Sequence, residues 1–382
     1  MSRERKEKKV GLIGAGGFGL HHFQMLLEAG PAHGMRLVAV ADPTSLPAAT
    51  NEAMETHALQ LYPDYEKMFA EENLDGVFIA TPVPMHFAMT SSALRQGLSV
   101  YLEKPPVTSV RQLDELIRMD AHQRVQVGFH MMSWPGIRGI LHRIRSGTFG
   151  EVHSLRVLAL WPRNTAYYQR ASWAGKMGSA ENPIFDGPAT NAMSHYVQLL
   201  CAGAAAAGGR ALSEVRGEFY RARPIESYDT CSLAGKFDGG PSCSVVMSHS
   251  AGPGAVTRLT METERGTFTF DDADFARAGR NRYQHSLGFA HRDFGLFLHQ
   301  EVERPRVTLA NCRTFIELVT CGLSDSGGIS SIPEEFISRL HTGDEELFVV
   351  QDLQDLARRC AENGQTFSEA APPWSLKLPP AP

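Results

Sequence analysis

Apolar residues in the first third of the chain gather into short runs separated by longer, mixed stretches. Val10–Ile13, Leu37–Ala41, Gly76–Ala80, Ser99–Leu102 and Val125–Phe129 are nearly continuous in apolar side chains, which predicts strands of a parallel sheet buried on both faces. Helices are predicted between them, over Phe18–Glu28, Phe87–Gln96 and Val110–Asp120. The repeated β–α order predicts a doubly wound α/β fold. After about residue 130 the order changes. Val152–Leu160, Val215–Tyr220, Thr230–Phe237, Cys243–His249, Arg258–Thr263 and Gly266–Phe270 read as strands in near succession, with helices over Ala189–Leu200 and roughly Glu345–Ala361. Strands that follow one another in this way predict a second, α+β domain with a large, mainly antiparallel sheet. The boundary falls at 129/130, giving domains 1–129 and 130–382. Ala202–Gly209 and the proline-rich Ala371–Pro382 read as a connection and a tail.

With 382 residues, 43% of them hydrophobic, the chain holds enough apolar material for two cores. A formal net charge of −5 argues against a broad basic face, so no nucleic-acid partner is expected. The dense run of mixed charge at Ser2–Lys9 predicts a solvated tail. Val10–Ile13 is too short for a signal-peptide core, and no apolar run reaches the length of a membrane span, so a cytoplasmic protein without a membrane partner is expected. The six cysteines, at 201, 231, 243, 312, 321 and 360, include no Cys-x-x-Cys pair. Their spacing predicts reduced, mostly buried thiols, with no metal site.

Gly14-Ala15-Gly16-Gly17-Phe18-Gly19 fits Gly-x-Gly-x-x-Gly between the first strand and the first helix. Gly14 permits the tight turn, Gly16 lets backbone approach a pyrophosphate, and Gly19 allows close helix–strand packing. The helix start then offers N–H groups and a positive dipole end to phosphate. Asp42 ends the next strand, where a carboxylate can accept both ribose hydroxyls and would repel a 2′-phosphate. No Arg or Lys lies among Pro43, Thr44, Ser45 and Leu46 to offset it, so NAD is favoured over NADP. The plainer alternative is that Asp42 caps a turn before Pro43.

Two further motifs follow strands: Thr81-Pro82-Val83-Pro84-Met85-His86 and Glu103-Lys104-Pro105-Pro106. With the glycine fingerprint, and with Val127-Gly128-Phe129 and Ile144–Val152 after them, the chain resembles the Gfo/Idh/MocA family of glucose–fructose oxidoreductase and inositol dehydrogenase. The match is good over the first half, and beyond that it concerns general layout. The resemblance implies an NAD-binding Rossmann domain, a substrate-binding domain whose sheet face makes a homodimer or homotetramer, and an active site between them. Cofactor contacts would come from Gly14, Gly16, Gly17, Phe18, Gly19, Asp42, Thr81, Pro82, His86, Glu103 and Lys104. By similarity Lys104 would lie beside the nicotinamide and contact the substrate oxygen. Physically, a lysine just past a strand's C-terminal end stands at the crevice where open α/β sheets bind ligands, and desolvation there fits it for proton exchange. A surface lysine paired with Glu103 is the alternative.

In Asn191-Ala192-Met193-Ser194-His195, positions four apart on a helix share a face. Many relatives place Asp and His there, with His as acid/base, so His195 carries over as a catalytic residue. Asn191 departs from the pattern, because an amide cannot stabilise an imidazolium as a carboxylate does. Asp186 in the preceding loop could supply the missing charge. Tyr167–Lys176 resembles the family's loop before the catalytic helix, making Arg170, Trp173 and Lys176 substrate-binding candidates, although a domain-interface loop reads equally well. Met131 and Met132 replace polar residues common in relatives, which fits a less anionic substrate or simple packing between domains. The expected reaction is hydride transfer between nicotinamide and a secondary alcohol of a sugar or polyol. The alternatives are an NAD-dependent glycosidase working by transient oxidation and elimination, and a non-enzymatic NAD-responsive binding protein.

Overall fold

The computed structural model describes residues 6–271, 282–343 and 345–375, apart from the side chains at 282–285 and 342. Residues 2–5 of the charged tail and 376–382 of the proline-rich end lie outside this description, and Lys8 and Lys9 already belong to the first strand. Contacts divide the chain into two compact units. The first takes in residues up to Val107, Arg111–Trp134 and Tyr283–Cys312, and the second takes in Thr108–Val110, Pro135–Arg282 and the chain from Arg313 onward. The division is not linear, because the chain returns to the first unit after residue 282.

In the first unit, β1 (Lys8–Ile13), α1 (Gly19–Glu28), β2 (Met35–Ala41), α2 (Ala48–Thr56), β3 (Gln60–Tyr62), α3 (Tyr65–Glu71), β4 (Gly76–Ile79), α4 (Val83–Arg95), β5 (Ser99–Leu102), α5 (Val110–Met119) and β6 (Val125–Val127) follow in turn. The strands form one sheet in the order β3-β2-β1-β4-β5-β6, and every ladder is parallel. This is the doubly wound Rossmann order, in which the strand sequence reverses between β1 and β4. β4 and β6 are buried throughout and β1 and β5 over most of their length, as the continuous apolar runs require, while edge strand β3 is exposed at Gln60 and Leu61. Helix Arg282–Leu298 brings Ala290, Phe294 and Leu298 into the core beside Val10, Leu12, Phe78 and Tyr101. Gln126 donates from its side-chain amide to Ala290 O at 2.9 Å, and Val127 N–H donates to Val307 O at 2.8 Å, so the returning segment lines the β6 edge.

In the second unit, α6 (Pro135–Arg145), β7 (Val152–Leu160), α7 (Thr165–Gln169), α8 (Ser194–Ala206), β8 (Leu212–Arg221), β9 (Thr230–Phe237), β10 (Ser242–Ser248), β11 (Val256–Thr263) and β12 (Gly266–Asp271) precede α9, the Arg282–Leu298 helix of the first unit. They are followed by α10 (Arg313–Asp325), β13 (Ile329–Ser331), β14 (Ile337–Thr342), β15 (Glu345–Val350) and α11 (Leu353–Asn363). A seven-stranded sheet runs β12-β11-β7-β10-β9-β8-β13. Four of its ladders are antiparallel, and the β7–β10 and β8–β13 ladders are parallel. The mainly antiparallel α+β expectation is therefore borne out.

Three expected elements are corrected. Glu345–Ala361 is not one helix: Glu345–Val350 pairs antiparallel with Ile337–Thr342, and the helix starts only at Leu353. Leu347-Phe348-Val349-Val350 is rich in aromatic and β-branched side chains, which suit a pleated surface better than a helix. Ala202–Gly209 is largely helix, because α8 runs to Ala206. Ala189–Leu200 is broken: Pro188–Ala192 forms a π-helical turn, and α8 begins at Ser194. There Thr190 N–H donates to Tyr228 Oη at 3.1 Å, and the Thr190 hydroxyl donates to Phe185 O, so side chains take up bonds that a regular helix would use. All six cysteines are free thiols, and only Cys321 is exposed. Among the described residues no helix is long and apolar enough to cross a membrane.

Candidate functional site

The glycine turn leaves β1 at the point where the strand order reverses. Gly14 N–H donates to Ala41 O and Ala80 N–H donates to Ile13 O, both at 2.9 Å, which locks the turn between β2 and β4. Gly14 has φ +82°, and a Cβ there would meet Ala80 O at 2.9 Å. A Cβ on Gly19 would collide with the Gly14 carbonyl oxygen. Each of these two positions requires glycine for its own reason. At Gly16 and Gly17 a Cβ would meet nothing within 4 Å, so the turn presents backbone to open space. Helix α1 starts after Phe18 without a side-chain cap, and Phe18 itself is partly exposed. An open glycine turn with uncapped N–H groups behind it fits a pyrophosphate.

Asp42 is half-buried beside that turn. Its carboxylate accepts Ala15 N–H at 2.9 Å and, on the other oxygen, Thr44 N–H at 2.9 Å and the Thr44 hydroxyl at 2.6 Å. The turn-capping alternative is thus realised in the geometry, and the carboxylate also ties β2 to the glycine loop. A carboxylate offers about four lone-pair sites, so acceptor capacity remains.

Thr81 and Pro82 leave β4 at the same edge of the sheet, and the loop is clamped by His86. The buried His86 ring faces Thr81 O at 2.8 Å from Nε2 and Pro105 O at 2.9 Å from Nδ1. Burial holds its pKa below the ordinary histidine range, and a neutral ring donates to only one of those carbonyls. It nevertheless rivets the loop after β4 to the loop after β5.

Glu103, Lys104 and Pro105 follow β5, and the Lys104–Pro105 peptide is cis. Lys104 is half-buried. Glu103 is buried, and its two oxygens have separate donors: His22 Nε2 lies 3.0 Å from Oε1, and Lys104 N–H donates to Oε2 at 3.1 Å. A Cβ on Gly128 would lie 2.7 Å from Glu103 Oε1, so Gly128 leaves room for the carboxylate. Burial pushes the Glu103 pKa up, but the His22 hydrogen bond and the nearby His22, Lys104 and His130 outweigh it and bring the pKa below the usual carboxyl value. His22 continues through Nδ1 to His291 Nε2 at 2.8 Å, and His130 Nδ1 lies 2.8 Å from Ser286 Oγ. Sequence reading missed His22, His130, Ser286 and His291. His22 carried one signal, for the buried face of α1 reads Gly19, His22, Phe23, Leu26, with one polar residue on an apolar stripe.

In the second unit, Asn191 lies in the π-helical turn and His195 in the first turn of α8. The break means that a spacing of four no longer implies one α-helical face. Asn191 Nδ2 donates to Asp186 Oδ1 at 2.7 Å, and Gly175 N–H donates to Asp186 Oδ2 at 2.7 Å. The charge expected of a family aspartate therefore stands one hydrogen bond away, on buried Asp186. Arg170 lies 3.6 Å from Asp186, with its guanidinium 3.8 Å from the Tyr167 ring centroid and 4.6 Å from that of Trp173. Lys176 is exposed and paired with Glu226 at 2.6 Å. His195 is buried.

The first unit is, by topology and by its glycine turn, a dinucleotide-binding Rossmann domain. Residues 8–130 match the family model described as "Oxidoreductase family, NAD-binding Rossmann fold" of Gfo/Idh/MocA. Among curated proteins the chain is 30% identical over 159 residues to 2,7-anhydro-N-acetylneuraminate hydratase of Mediterraneibacter gnavus, covering 39% of this chain and 40% of that protein. It is 30% identical over 146 residues to inositol 2-dehydrogenase of Acidothermus cellulolyticus, covering 37% and 42%. The matched segment thus spans about two fifths of these relatives. Over nearly the whole fold, the chain resembles the WlbA dehydrogenase of Bordetella pertussis, solved with NADH and UDP-GlcNAcA, at TM-score 0.73 and 21% identity, covering 84% of this chain and 96% of that one. The myo-inositol dehydrogenase of Corynebacterium glutamicum follows at TM-score 0.67 and 18% identity, covering 84% and 96%. Those two likenesses are of fold.

Proposed function

We propose that the protein is an NAD-dependent oxidoreductase that transfers a hydride between nicotinamide and a secondary alcohol of a sugar, a polyol or a derivative. One observation carries the reading. An open glycine turn leaving β1, at the reversal point of a parallel sheet, and Lys104 leaving β5 stand at the same C-terminal edge of that sheet. Gly14, Gly16, Gly17, Phe18 and Gly19 would hold the pyrophosphate and Asp42 the adenosine ribose. Thr81 and Pro82, riveted by His86, would shape the wall of the site, and Glu103 would support Lys104. The bound nicotinamide supplies the hydride acceptor or donor. Lys104 exchanges the hydroxyl proton. His195 is a second acid–base candidate, tested on its own, and Asn191, Arg170, Trp173 and Lys176 are candidates for substrate contact.

Lys104→Ala should lower turnover about 10²–10⁴-fold, the usual contribution of a positioned proton-transfer group, while nucleotide still binds. Nicotinamide absorbance over a panel of sugars, inositols and sugar acids reads the first quantity, and NAD titration calorimetry reads the second. Unchanged turnover removes Lys104 from the mechanism. Asp42→Ala should weaken NAD binding more than NADP binding, and an unaltered preference would overturn the ribose assignment. A second reading, in which NAD is not consumed, is favoured by the relative named a hydratase. It predicts substrate conversion without net change in nicotinamide absorbance, with nucleotide retained on the purified chain.

A further inference from the structure

We propose that His22 and His291 are positioning residues for Lys104: they hold the Glu103 carboxylate ionised beside the lysine and so set the pH range over which that lysine exchanges a proton. The proposal deepens the reading of Lys104 given above, and its catalytic consequence rests on that reading.

The geometry is a chain of hydrogen bonds inside the first unit. His291 Nε2 lies 2.8 Å from His22 Nδ1, His22 Nε2 lies 3.0 Å from Glu103 Oε1, and Glu103 Oε2 accepts Lys104 N–H at 3.1 Å. The two imidazole planes are tilted by only 9°, with ring centroids 5.1 Å apart. Phe78 and Tyr101 pack against both rings and exclude water. With both rings neutral, one proton order satisfies the chain. An ionised carboxylate only accepts, so His22 must carry its proton on Nε2, its Nδ1 accepts, and His291 must donate from Nε2. His291 Nδ1 is then a bare acceptor, and it is buried without a hydrogen-bond partner among the described residues. Burial, with His22, His33 and His130 nearby, holds His291 neutral, as this order needs.

The consequence for Lys104 follows from reciprocity. The Lys104 charge favours ionised Glu103, so ionised Glu103 favours the Lys104 ammonium by the same free energy. Other titratable groups act on Glu103 from several elements, namely His22 on α1, His86 on α4, Tyr101 on β5 and His130 after β6, and His291 on α9 acts through His22. Asp293 also faces Tyr101 but is paired with Arg306 at 3.1 Å. Within this set Glu103 is the carboxylate next in sequence to the lysine, and His22 is its imidazole donor.

The test reads Lys104 without turnover. In full-length protein whose lysines carry ¹³C-methyl groups, the Lys104 resonance is identified by its loss in Lys104→Arg and titrated without nucleotide. Glu103→Gln should lower the Lys104 midpoint, because the neighbouring negative charge that favours the ammonium is lost. His22→Phe, which removes the donor to Glu103, should move it in the same direction by less. His22→Gln, whose amide can still donate to Glu103, should restore the wild-type midpoint, which a merely structural role for the ring would not do. An unchanged midpoint in both Glu103→Gln and His22→Phe overturns the relay. In an active preparation the alkaline rise of kcat should shift with the midpoint. If the midpoint moves while Lys104→Ala keeps full turnover, the relay stands and the catalytic reading of Lys104 fails.

Discussion

Each unit of the molecule buries a carboxylate, and the two are held by opposite means. In the second unit Asp229 is fully buried against Arg223, with Nε 3.2 Å from Oδ2, and it also accepts Ala222 N–H and the Thr230 hydroxyl. The guanidinium also donates to Arg163 O and Ser250 Oγ, and lies 4.5 Å from the Tyr168 ring centroid. In the first unit Glu103 has no guanidinium on it among the described residues. Its donors are an imidazole and a backbone N–H. An arginine keeps its charge at any accessible pH, whereas a histidine can gain or lose a proton near neutrality. The first arrangement fixes structure. The second rests a buried charge on neutral donors, and it does so beside the proposed proton-transfer lysine.

The largest effect should come from breaking the fixed pair. Arg223→Ala leaves Asp229 buried without its counter-charge and should cost about 3–5 kcal/mol, read by urea unfolding. Arg223→Met combined with Asp229→Asn should recover most of that loss, because no unpaired charge remains. If the single and double variants are equally unstable, packing of Arg223 on Tyr168 matters more than charge. The next effect belongs to the titratable side. His130 is buried, and burial is the main reason its pKa falls from 6.5 to about 4. Between those values the unfolded chain binds a proton that the folded chain does not, so stability rises with pH across the window. This contribution is complete above pH 6.5 and falls by about 3 kcal/mol as pH drops past 4, some ~2 kcal/mol of it by pH 5. Urea unfolding at pH 7 and pH 5 should show a smaller loss in His130→Asn than in wild type. Equal losses would place the acid sensitivity elsewhere.

The contrast also marks what could be read from the chain. Gly14, Gly19 and Asp42 were legible because each answers a local backbone demand, a tight turn, a close approach or the end of a neighbouring strand. Glu103-Lys104-Pro105 was legible as a motif, but the burial of Glu103 was not, since its donor comes from α1 and the next link in the chain is 269 residues beyond His22. No periodicity in α9 announces that its His291 will meet His22 inside another sheet's core. Glu345–Val350 misled for a related reason: periodicity alone does not separate helix from strand in so short an apolar run, and its β-branched and aromatic side chains and its pairing with Ile337–Thr342 do. The Asn191–His195 spacing misled because a helical wheel assumes an unbroken helix, and Tyr228, 38 residues beyond Thr190, intercepts the backbone there.

The smallest effect, and the sharpest use of the contrast, is the stability of Glu103→Gln. Removing the Asp229 charge would strand a guanidinium, but removing the Glu103 charge leaves neutral rings. If the new side-chain oxygen accepts Lys104 N–H, its amide must donate to His22 Nε2. His22 then protonates on Nδ1 and donates to His291, and His291 must carry its proton on Nδ1. The proton order of the chain reverses, leaving one buried N–H without a partner among the described residues. The opposite amide orientation sets its NH₂ against Lys104 N–H and also leaves a donor unsatisfied. Either way the cost is one unmade hydrogen bond, about 1–3 kcal/mol, below that of breaking the Arg223–Asp229 pair. A loss as large as that of Arg223→Ala would mean that the Glu103 charge is needed for folding itself, and the division between a fixed and a tunable carboxylate would fall.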